Sequence, residues 1–507
     1  MADTKKKADQ GIKSSRKSKV LVTLLVVVMA LIVVGYFVYI SGVLPRLFTA
    51  VKVVETVDGV QETIEDVSVA EFDYNYYQVL NTYYYYGLFS TDEELDQVYD
   101  TDTGKTYREM LMDSAAEEIM NIVVVNEEAE ENGYLEHSGA SRYAQLTLDS
   151  TSETSKYYGY TTVDQFLQAQ YGKGMSSRVF RTCLEREALT QEYENYVRQF
   201  VFLPTTEELE AAYEADPQVY QRVDFSYYYF AGEELEDGTY DITAAEEQAQ
   251  AVADGATDTE SFRFLVIEQL GEDVAELSGF TEGEDPSYVE GYSSSETDSM
   301  AEGFTDFLFD EDTKEGDTTV ITNDSGAFVL RFDKIYTYDE ATVSYRTLTL
   351  LNDAYSEDDA TEESIAAGLA SVQAQAEALV ANSMDSLAFA DLVKANSDST
   401  SEIVTGGYND GVAASEYEET DETTLTDRQK TLGQWLFDES RVAGDTLILP
   451  SDDSSYVTIY YFESNVPAWM YTAGTQIVTS MVNSWSNDIL SDGTSYLIAY
   501  DLIERLS

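Results

Sequence analysis

Residues 308–321 read LFDEDTKEGDTTVI and residues 436–449 read LFDESRVAGDTLIL: the pattern L-F-D-E, four residues, then G-D-T, written twice 128 positions apart. Each copy runs into a strand-like stretch, AFVLRFDKIY and YVTIYYFES, rich in the β-branched and aromatic residues that suit a pleated, half-buried surface. Nothing else in the sequence restricts the fold as much, because it marks the tail of a unit present twice. Upstream, VDFSYYYF at 223–230 parallels VSYRTLTL at 343–350. The Ala-rich AAEEQAQAVADG parallels SIAAGLASVQAQAEALVANS, and SFRFLVIEQL parallels AFADLVKANS, with Phe262 and Leu265 against Phe389 and Leu392. Each unit reads as strand, helix, helix, loop, short helix, glycine turn and strand. Within the motif, a short helix is expected to end near Phe309, and Gly316 supplies a tight turn that most side chains would resist. Asp317 or Thr318 bonds locally there, and Gly444, Asp445 and Thr446 do the same in the second copy, so these residues are architectural.

The first fifty residues set a second limit. Residues 1–19 hold seven Lys/Arg against two Asp, and residues 20–44 carry no charge. At about 1.5 Å per helical residue that run spans a hydrocarbon core of about 30 Å with some tilt. Tyr36 and Tyr39 suit an interface anchor, and the basic flank marks the cytoplasmic side. A cleaved signal peptide competes, but the run is longer than a usual signal core and no A-x-A site follows it. The reading is an uncleaved signal anchor in the cell membrane, N-terminus inside and the bulk of the chain outside.

The whole chain has a formal net charge of −67; without the tail's net +5 the remainder carries −72. Such a surface stays soluble and holds cations or basic peptides loosely, and it makes nucleic acid an improbable partner. The one cysteine, Cys183, excludes an internal disulfide. It lies on an apolar helical face with Phe180, Leu184 and Ala188, as a core thiol would.

Between these landmarks, residues from about 67 to 221 read as mostly helical. VKVVETV is a short strand, followed by a turn at Asp58-Gly59 and a helix with Tyr77, Leu80, Tyr84 and Leu88 at helical spacing. Ser114 and Glu117 read as a capping box and Gly133 as a stop. Thr162 with Gln165, and Thr205 with Glu208, read as helix starts. Tyrosines crowd the first of these helices at 74, 76, 77 and 83–86. They are either core or a semi-exposed aromatic lining for unfolded segments, wide in apolar contact with a polar tip. His137, the only histidine, follows a helix stop and reads as a solvated loop residue. It has no second histidine with which to build a zinc site or a triad. DTDTGKTYREM has its glycine one place early for a calcium loop, and Leu111 where the bidentate Glu belongs. No phosphate-cradling glycine loop is present, so no ATP, metal or other cofactor is expected. The amphipathic C-terminal stretch is expected to pack Met481, Trp485 and Leu490 back on the helical region.

This order resembles the extracytoplasmic foldases of the SurA/PrsA type, a helical chaperone domain joined to parvulin-type peptidyl-prolyl isomerase domains. The segments that carry the resemblance are VSVAEFDYNYY, TTVDQFLQAQYGKGMSSRVFRTCLEREAL, PTTEELEAAYEADP and FADLVKANSDSTSEIVTGGYNDG. The last is similar to the parvulin pattern F-x-x-L-A-x-x-x-S-x-D ending in Gly-Gly. The resemblance implies an α+β chain in six parts: a basic tail 1–19, a transmembrane anchor 20–44, a helical chaperone domain 45–222, a degenerate parvulin-like unit 223–340, a second parvulin-like unit 341–466 and a C-terminal helix 467–507.

Parvulins carry two histidines on neighbouring central strands and a Cys or Asp facing them. Laid on this sequence, the first histidine falls on Thr347, the Cys/Asp on Ser399 or Asp398, and the second histidine on Val457, one residue from Thr458. In the first unit the histidine positions fall on Tyr227 and Phe328. With neither histidine kept, the expectation is weak or absent isomerase activity and units that mainly bind peptide, through Tyr77, Tyr84, Phe389, Leu392 and Phe437. The implied function is ATP-independent binding of unfolded, newly exported polypeptides. The alternatives are a working prolyl isomerase using Thr347 and Ser399, or an envelope scaffold or adhesion protein with one tight folded partner.

Overall fold

The computed structural model describes residues 16–57, 59–357, 359–420, 424–491 and 493–507, and the side chains of all these except 16–22, 35, 37–40 and 491. Most of the basic tail, and Asp58 of the expected turn, lie outside that set. The fold is α+β. Helix α1 (Arg16–Ile40) opens it, and its residues 23–34 are exposed on every side. Among the described residues no helix is long and apolar enough to cross a membrane.

Strands β1 (Thr49–Val57) and β2 (Val60–Ser68) form a hairpin where the sequence suggests one strand and then a helix. β2 reads VQETIEDVS and is mostly exposed, so it lacks the one-sided apolar alternation that announces a strand. Helix α2 (Val69–Tyr85) starts on a capping box between Ser68 and Glu71. Helix α3 (Tyr107–Glu131) starts on another between Thr106 and Glu109. Ser114 is therefore inside α3, donating to Met110 O at 3.2 Å, and is not its cap. Gly133 stops the helix at φ 72°. Helices α4 (Ala140–Tyr157), α5 (Val163–Tyr171), α6 (Ser177–Tyr196) and α7 (Thr206–Ala215) follow. Thr162 caps α5 and Thr205 with Glu208 caps α7, as their spacing predicts. Phe72, Leu80, Leu111 and Ile119 centre one core, and Tyr74, Leu167, Phe180 and Cys183 a second. Burial pushes the Cys183 thiol pKa well up, leaving it protonated and inert.

The chain then builds two four-stranded antiparallel sheets of identical order. The first consists of β3 (Gln221–Ala231), helices α8 (Thr243–Gly255) and α9 (Thr259–Leu270), β4 (Tyr288–Tyr292), the one-turn helix α10 (Phe304–Leu308), β5 (Thr318–Asn323) and β6 (Gly326–Thr337). Its strand order is β4-β3-β6-β5. The second consists of β7 (Ala341–Leu351), helices α11 (Glu362–Leu379), α12 (Ser386–Asn396) and α13 (Thr400–Thr405), β8 (Tyr408–Ala413), α14 (Asp427–Leu436), β9 (Thr446–Pro450) and β10 (Tyr456–Pro467), in the order β8-β7-β10-β9. In both, the paired helices cover one face and the short helix covers the other.

The repeated G-D-T motif closes both sheets in the same way. Gly316 N donates to Phe332 O at 2.9 Å and Phe332 N to Asp317 O at 2.9 Å. In the second copy Gly444 N donates to Phe462 O at 3.0 Å and Phe462 N to Asp445 O at 2.9 Å. The aspartate carboxylates also accept from backbone, Asp317 from Lys314 N and Asp445 from Val442 N. The glycines have φ of 89° and 98°, a region open to glycine and strained for other residues. The turn thus ties the edge strand to the long central strand, two backbone hydrogen bonds per copy.

Helix α15 (Ala468–Ser491), strand β11 (Ser495–Ile498) and helix α16 (Tyr500–Leu506) return the chain to its start. Trp485 and Ile489 pack against Val125, Tyr134 and Tyr193. Strand β11 pairs with β1, Val51 opposite Ile498. The helical region and the second sheet unit share a polar interface. Arg142 on α4 donates to Asn396 O, Ser397 O and Asp398 Oδ1 at 3.0, 2.8 and 2.8 Å. Asn195 and Gln199 donate to Val404 O and Thr405 O, and buried Lys394 donates to Tyr134 Oη at 2.7 Å. His137 belongs to this interface, its Nδ1 2.8 Å from Asp391 Oδ2, and so is not a free loop residue.

Candidate functional site

Register decides which side chains of the second sheet act together. Across the two central strands Thr347 lies opposite Tyr460, Thr349 opposite Thr458, and Tyr345 opposite Phe462. Direct partners in an antiparallel pair share a face, so these six stand on the side covered by α14. Val457 lies opposite Leu350, fully buried with Leu348, Ile459 and Phe389. The candidate position on β10 is therefore Thr458, and Val457 is a core residue: a step of one residue along a strand reverses the face.

Arg428 on α14 organises the face. Its Nη2 donates to Thr458 Oγ1 at 3.0 Å and to Tyr460 Oη at 2.7 Å. Its guanidinium lies 5.5 Å from the Tyr456 ring centroid and 5.7 Å from that of Tyr460, and its Nε is buried with no hydrogen-bond partner among the described residues. Burial pushes the Tyr460 phenol up to about 12, against the opposing pull of Arg428, so it stays neutral and can both accept and donate. Thr347 Oγ1 stands beside Asn409 Nδ2 at 3.4 Å. Tyr345, Tyr417, Leu432 and Leu449 make the apolar wall, with Phe437 against Tyr417 at 6.2 Å between centroids.

The remaining expected residues have structural work. Asp398 accepts from Arg142 on Oδ1 and from Leu351 N on Oδ2, at 2.8 and 2.9 Å. Both carboxylate oxygens are thus engaged. Ser399 is the N-cap of α13, its Oγ accepting from Glu402 N at 3.4 Å and lying 2.9 Å from Ser401 Oγ. Thr349 donates from N and Oγ1 to the Glu402 carboxylate, both at 2.8 Å. Phe389, 0% exposed, stacks on Tyr461 beneath the opposite face, and Leu392 packs into the same core. Those two are corrected from pocket wall to core, because α12, which carries both, packs them against the sheet face opposite the one that α14 covers. Tyr77 packs edge-on to Tyr76, half-buried, and Tyr84 donates to Asp92 Oδ1 at 2.9 Å. Tyr85 and Tyr86 beside them are exposed. The turn residues Gly316, Asp317, Gly444 and Asp445 stand in the closures already described.

The first sheet differs where the second is polar. Tyr227 faces Leu330 and Tyr229 faces Phe328, and Phe225, Phe304, Leu308 and Leu330 are buried on that side, with Tyr227 and Phe328 partly buried against them. Arg428 and Arg142 were not singled out by the sequence, since their partners become neighbours only through register and docking. The signal that could have pointed to Arg428 is the pair of cations, Arg428 and Lys430, in the helix preceding the L-F-D motif of an otherwise acidic chain.

Chemically, the second face offers hydroxyls and one guanidinium beside an aromatic wall, with no imidazole. That suits hydrogen bonding to a peptide carbonyl and burial of an apolar ring. One charge-assisted hydrogen bond contributes about 1.5–3 kcal/mol against an amide rotation barrier of about 18–20 kcal/mol. Made only in the twisted state it accelerates rotation roughly 10- to 150-fold. No family model matches the chain, and no curated protein sequence matches it.

Proposed function

We propose that the protein is a membrane-anchored foldase of the SurA/PrsA type that binds unfolded, newly exported polypeptides without ATP. The observation that carries this reading is the pair of sheets with one strand order and one Gly-Asp closure, attached to a helical region, in a chain whose segments resemble that family. In this reading the uncharged run 20–44 tethers the chain to the membrane, with the acidic bulk outside. Tethering raises its effective concentration where chains emerge. The first unit acts as a spacer with a filled core, and the second presents the Arg428–Thr458–Tyr460 face. The test is aggregation of a chemically denatured client diluted into buffer with the full chain in detergent micelles and no nucleotide. Slower aggregation near equimolar ratio is expected. Unchanged aggregation across several unrelated clients rules the reading out.

Residual prolyl isomerisation at the second face is the second reading. It is favoured by the free Arg428 Nε beside the aromatic wall. The uncatalysed step takes tens to hundreds of seconds, so catalysis of a proline tetrapeptide set is readily measured on the full chain.

A further inference from the structure

A second concave site lies away from the sheet face, where α7, the end of β6 and the start of α15 meet. It is a cleft of about 380 Å³ lined by Glu210, Tyr213, Glu214, Thr337, Asp339 and Trp469. Its floor is an aromatic corner: the Tyr213 and Trp469 rings are 5.1 Å apart at 66°. Tyr213 is also stacked on Tyr220, 5.7 Å away at 24°. The corner is held rigidly. Tyr213 Oη lies 2.6 Å from Thr337 Oγ1, and Trp469 N donates to Tyr338 O at 3.0 Å. Its rim is three exposed carboxylates from two separate segments, and none of the lining residues is basic. The nearby Arg222 is occupied, stacked 4.4 Å over the Tyr338 ring. Two of the carboxylates, Glu210 and Glu214, stand one helical turn apart, a spacing at which like charges repel.

We infer that this cleft binds a lysine or arginine side chain of an extended polypeptide. The cation lies in the corner between Tyr213 and Trp469, and Glu210, Glu214 and Asp339 surround it. The chemistry points to a cation on two counts. Aromatic faces at an angle present negative potential to a charged group within about 6 Å, and the rim supplies the compensating charge while the stem of the side chain covers the rings. An acidic side chain would be repelled by the rim, and a neutral one would meet the same apolar floor with no charge for the rim to compensate. The inference rests on the reading of the protein as a binder of unfolded chains, and it names what such chains must carry to be held here.

The test uses the full chain in micelles and a labelled Gly/Ser nonapeptide with one central arginine, compared with its citrulline twin, which keeps the shape and loses the charge. The wild type is expected to bind the arginine peptide about tenfold more tightly. The combined Glu210→Gln, Glu214→Gln, Asp339→Asn variant is expected to reduce that preference to about twofold or less. A control changing the same charge elsewhere, Glu233→Gln, Glu234→Gln and Glu236→Gln on the first unit, is expected to keep it. Trp469→Leu is expected to lose the preference and Trp469→Phe to retain most of it, with circular dichroism checking the fold of each. Equal binding of the two peptides by wild type, or an equal loss in cleft and control variants, overturns the inference. Client aggregation measured on the same preparations separates the failures: suppression without an arginine preference removes the cleft alone, and no suppression removes the binding reading with it.

Discussion

Arg142 Nη2 donates to Asp398 Oδ1 at 2.8 Å across 256 residues of sequence. The same guanidinium holds the Asn396 and Ser397 carbonyls, so one side chain of the helical region fixes the loop that leads into Ser399. Replacing it by alanine removes three acceptors' partner at a half-buried contact. Arg142→Ala is expected to destabilise the chain by about 1–3 kcal/mol in urea unfolding. Faster hydrogen exchange is expected at 396–405, and Arg142→Lys should recover only part of the loss because a point charge cannot serve all three acceptors. Unchanged exchange in that segment would show the clamp to be incidental.

Gly316 and Gly444 provide a test of the duplication itself. A Cβ at either site meets nothing closer than Arg331 Nη2 at 3.9 Å or Met384 O at 3.6 Å, so crowding contributes little. The cost of Gly316→Ala or Gly444→Ala is the positive φ alone, about 1–2 kcal/mol each. Because the two turns are built alike, the two losses should agree closely. A loss confined to one copy would mean the closures differ in a way their hydrogen bonds do not show.

That pair also marks what a linear reading can reach. Turn and cap chemistry is local, so the G-D-T closures, Thr162, Thr205 and Gly133 were legible from spacing. Face and docking are not local. Val457 and Thr458 are neighbours in sequence and lie on opposite sides of the sheet, and only register separates them. Phe389 looks like any pocket aromatic until its own helix, α12, docks on the sheet and stacks it on Tyr461. His137 follows a helix stop and reads as solvated, yet the second unit brings Asp391 to it. β2 is not legible in the sequence because its two core residues, Ile64 and Val67, are three apart, with a bulge at Ile64 breaking the strict alternation of a strand.

Phe389 and Phe437 should accordingly separate in a stability assay. Phe389 fills the core beneath the second sheet, and Phe389→Ala is expected to cost about 3–5 kcal/mol. Phe437 sits half-buried at the edge of the site face, and Phe437→Ala is expected to cost about 1–2 kcal/mol. Urea midpoints measured side by side decide this, and comparable losses would return Phe389 to the pocket.

Asp73 gives the chain a pH dependence with a definite sign. It is 1% exposed, its Oδ2 has no partner, and burial raises its pKa to about 7 despite the hydroxyl of Ser507. An acid raised in the folded state stabilises fully below its unfolded value of 3.8 and loses that contribution as pH climbs through the folded value. Stability should therefore fall between pH of about 4 and 7, by up to about 4 kcal/mol from this group. Asp73→Asn should flatten that fall. Some slope remains, because buried Glu192 is also raised to about 7. Unfolding midpoints from pH 4.5 to 8.5 measure the difference, and parallel curves for variant and wild type would contradict the assignment.

In the proposed reading, Arg428 is the residue on which peptide binding at the second sheet turns. Its Nη2 is committed to Thr458 and Tyr460, which leaves the buried Nε–H as a donor without an acceptor. A buried donor left unpaired is unfavourable by about 1–3 kcal/mol, and a peptide carbonyl entering beside Tyr345 and Tyr417 would relieve it. Arg428→Lys keeps the charge and loses the planar fork. It is expected to weaken binding of a proline-containing peptide about tenfold, whereas Thr458→Val should weaken it less because Tyr460 still holds the guanidinium. If the full chain also speeds prolyl isomerisation, Arg428→Lys should reduce that acceleration more than it reduces affinity, since the extra donor acts best on the twisted amide. Calorimetric titration and the isomerisation assay run on the same samples separate the two effects. An unchanged affinity in Arg428→Lys would place peptide binding elsewhere on the molecule.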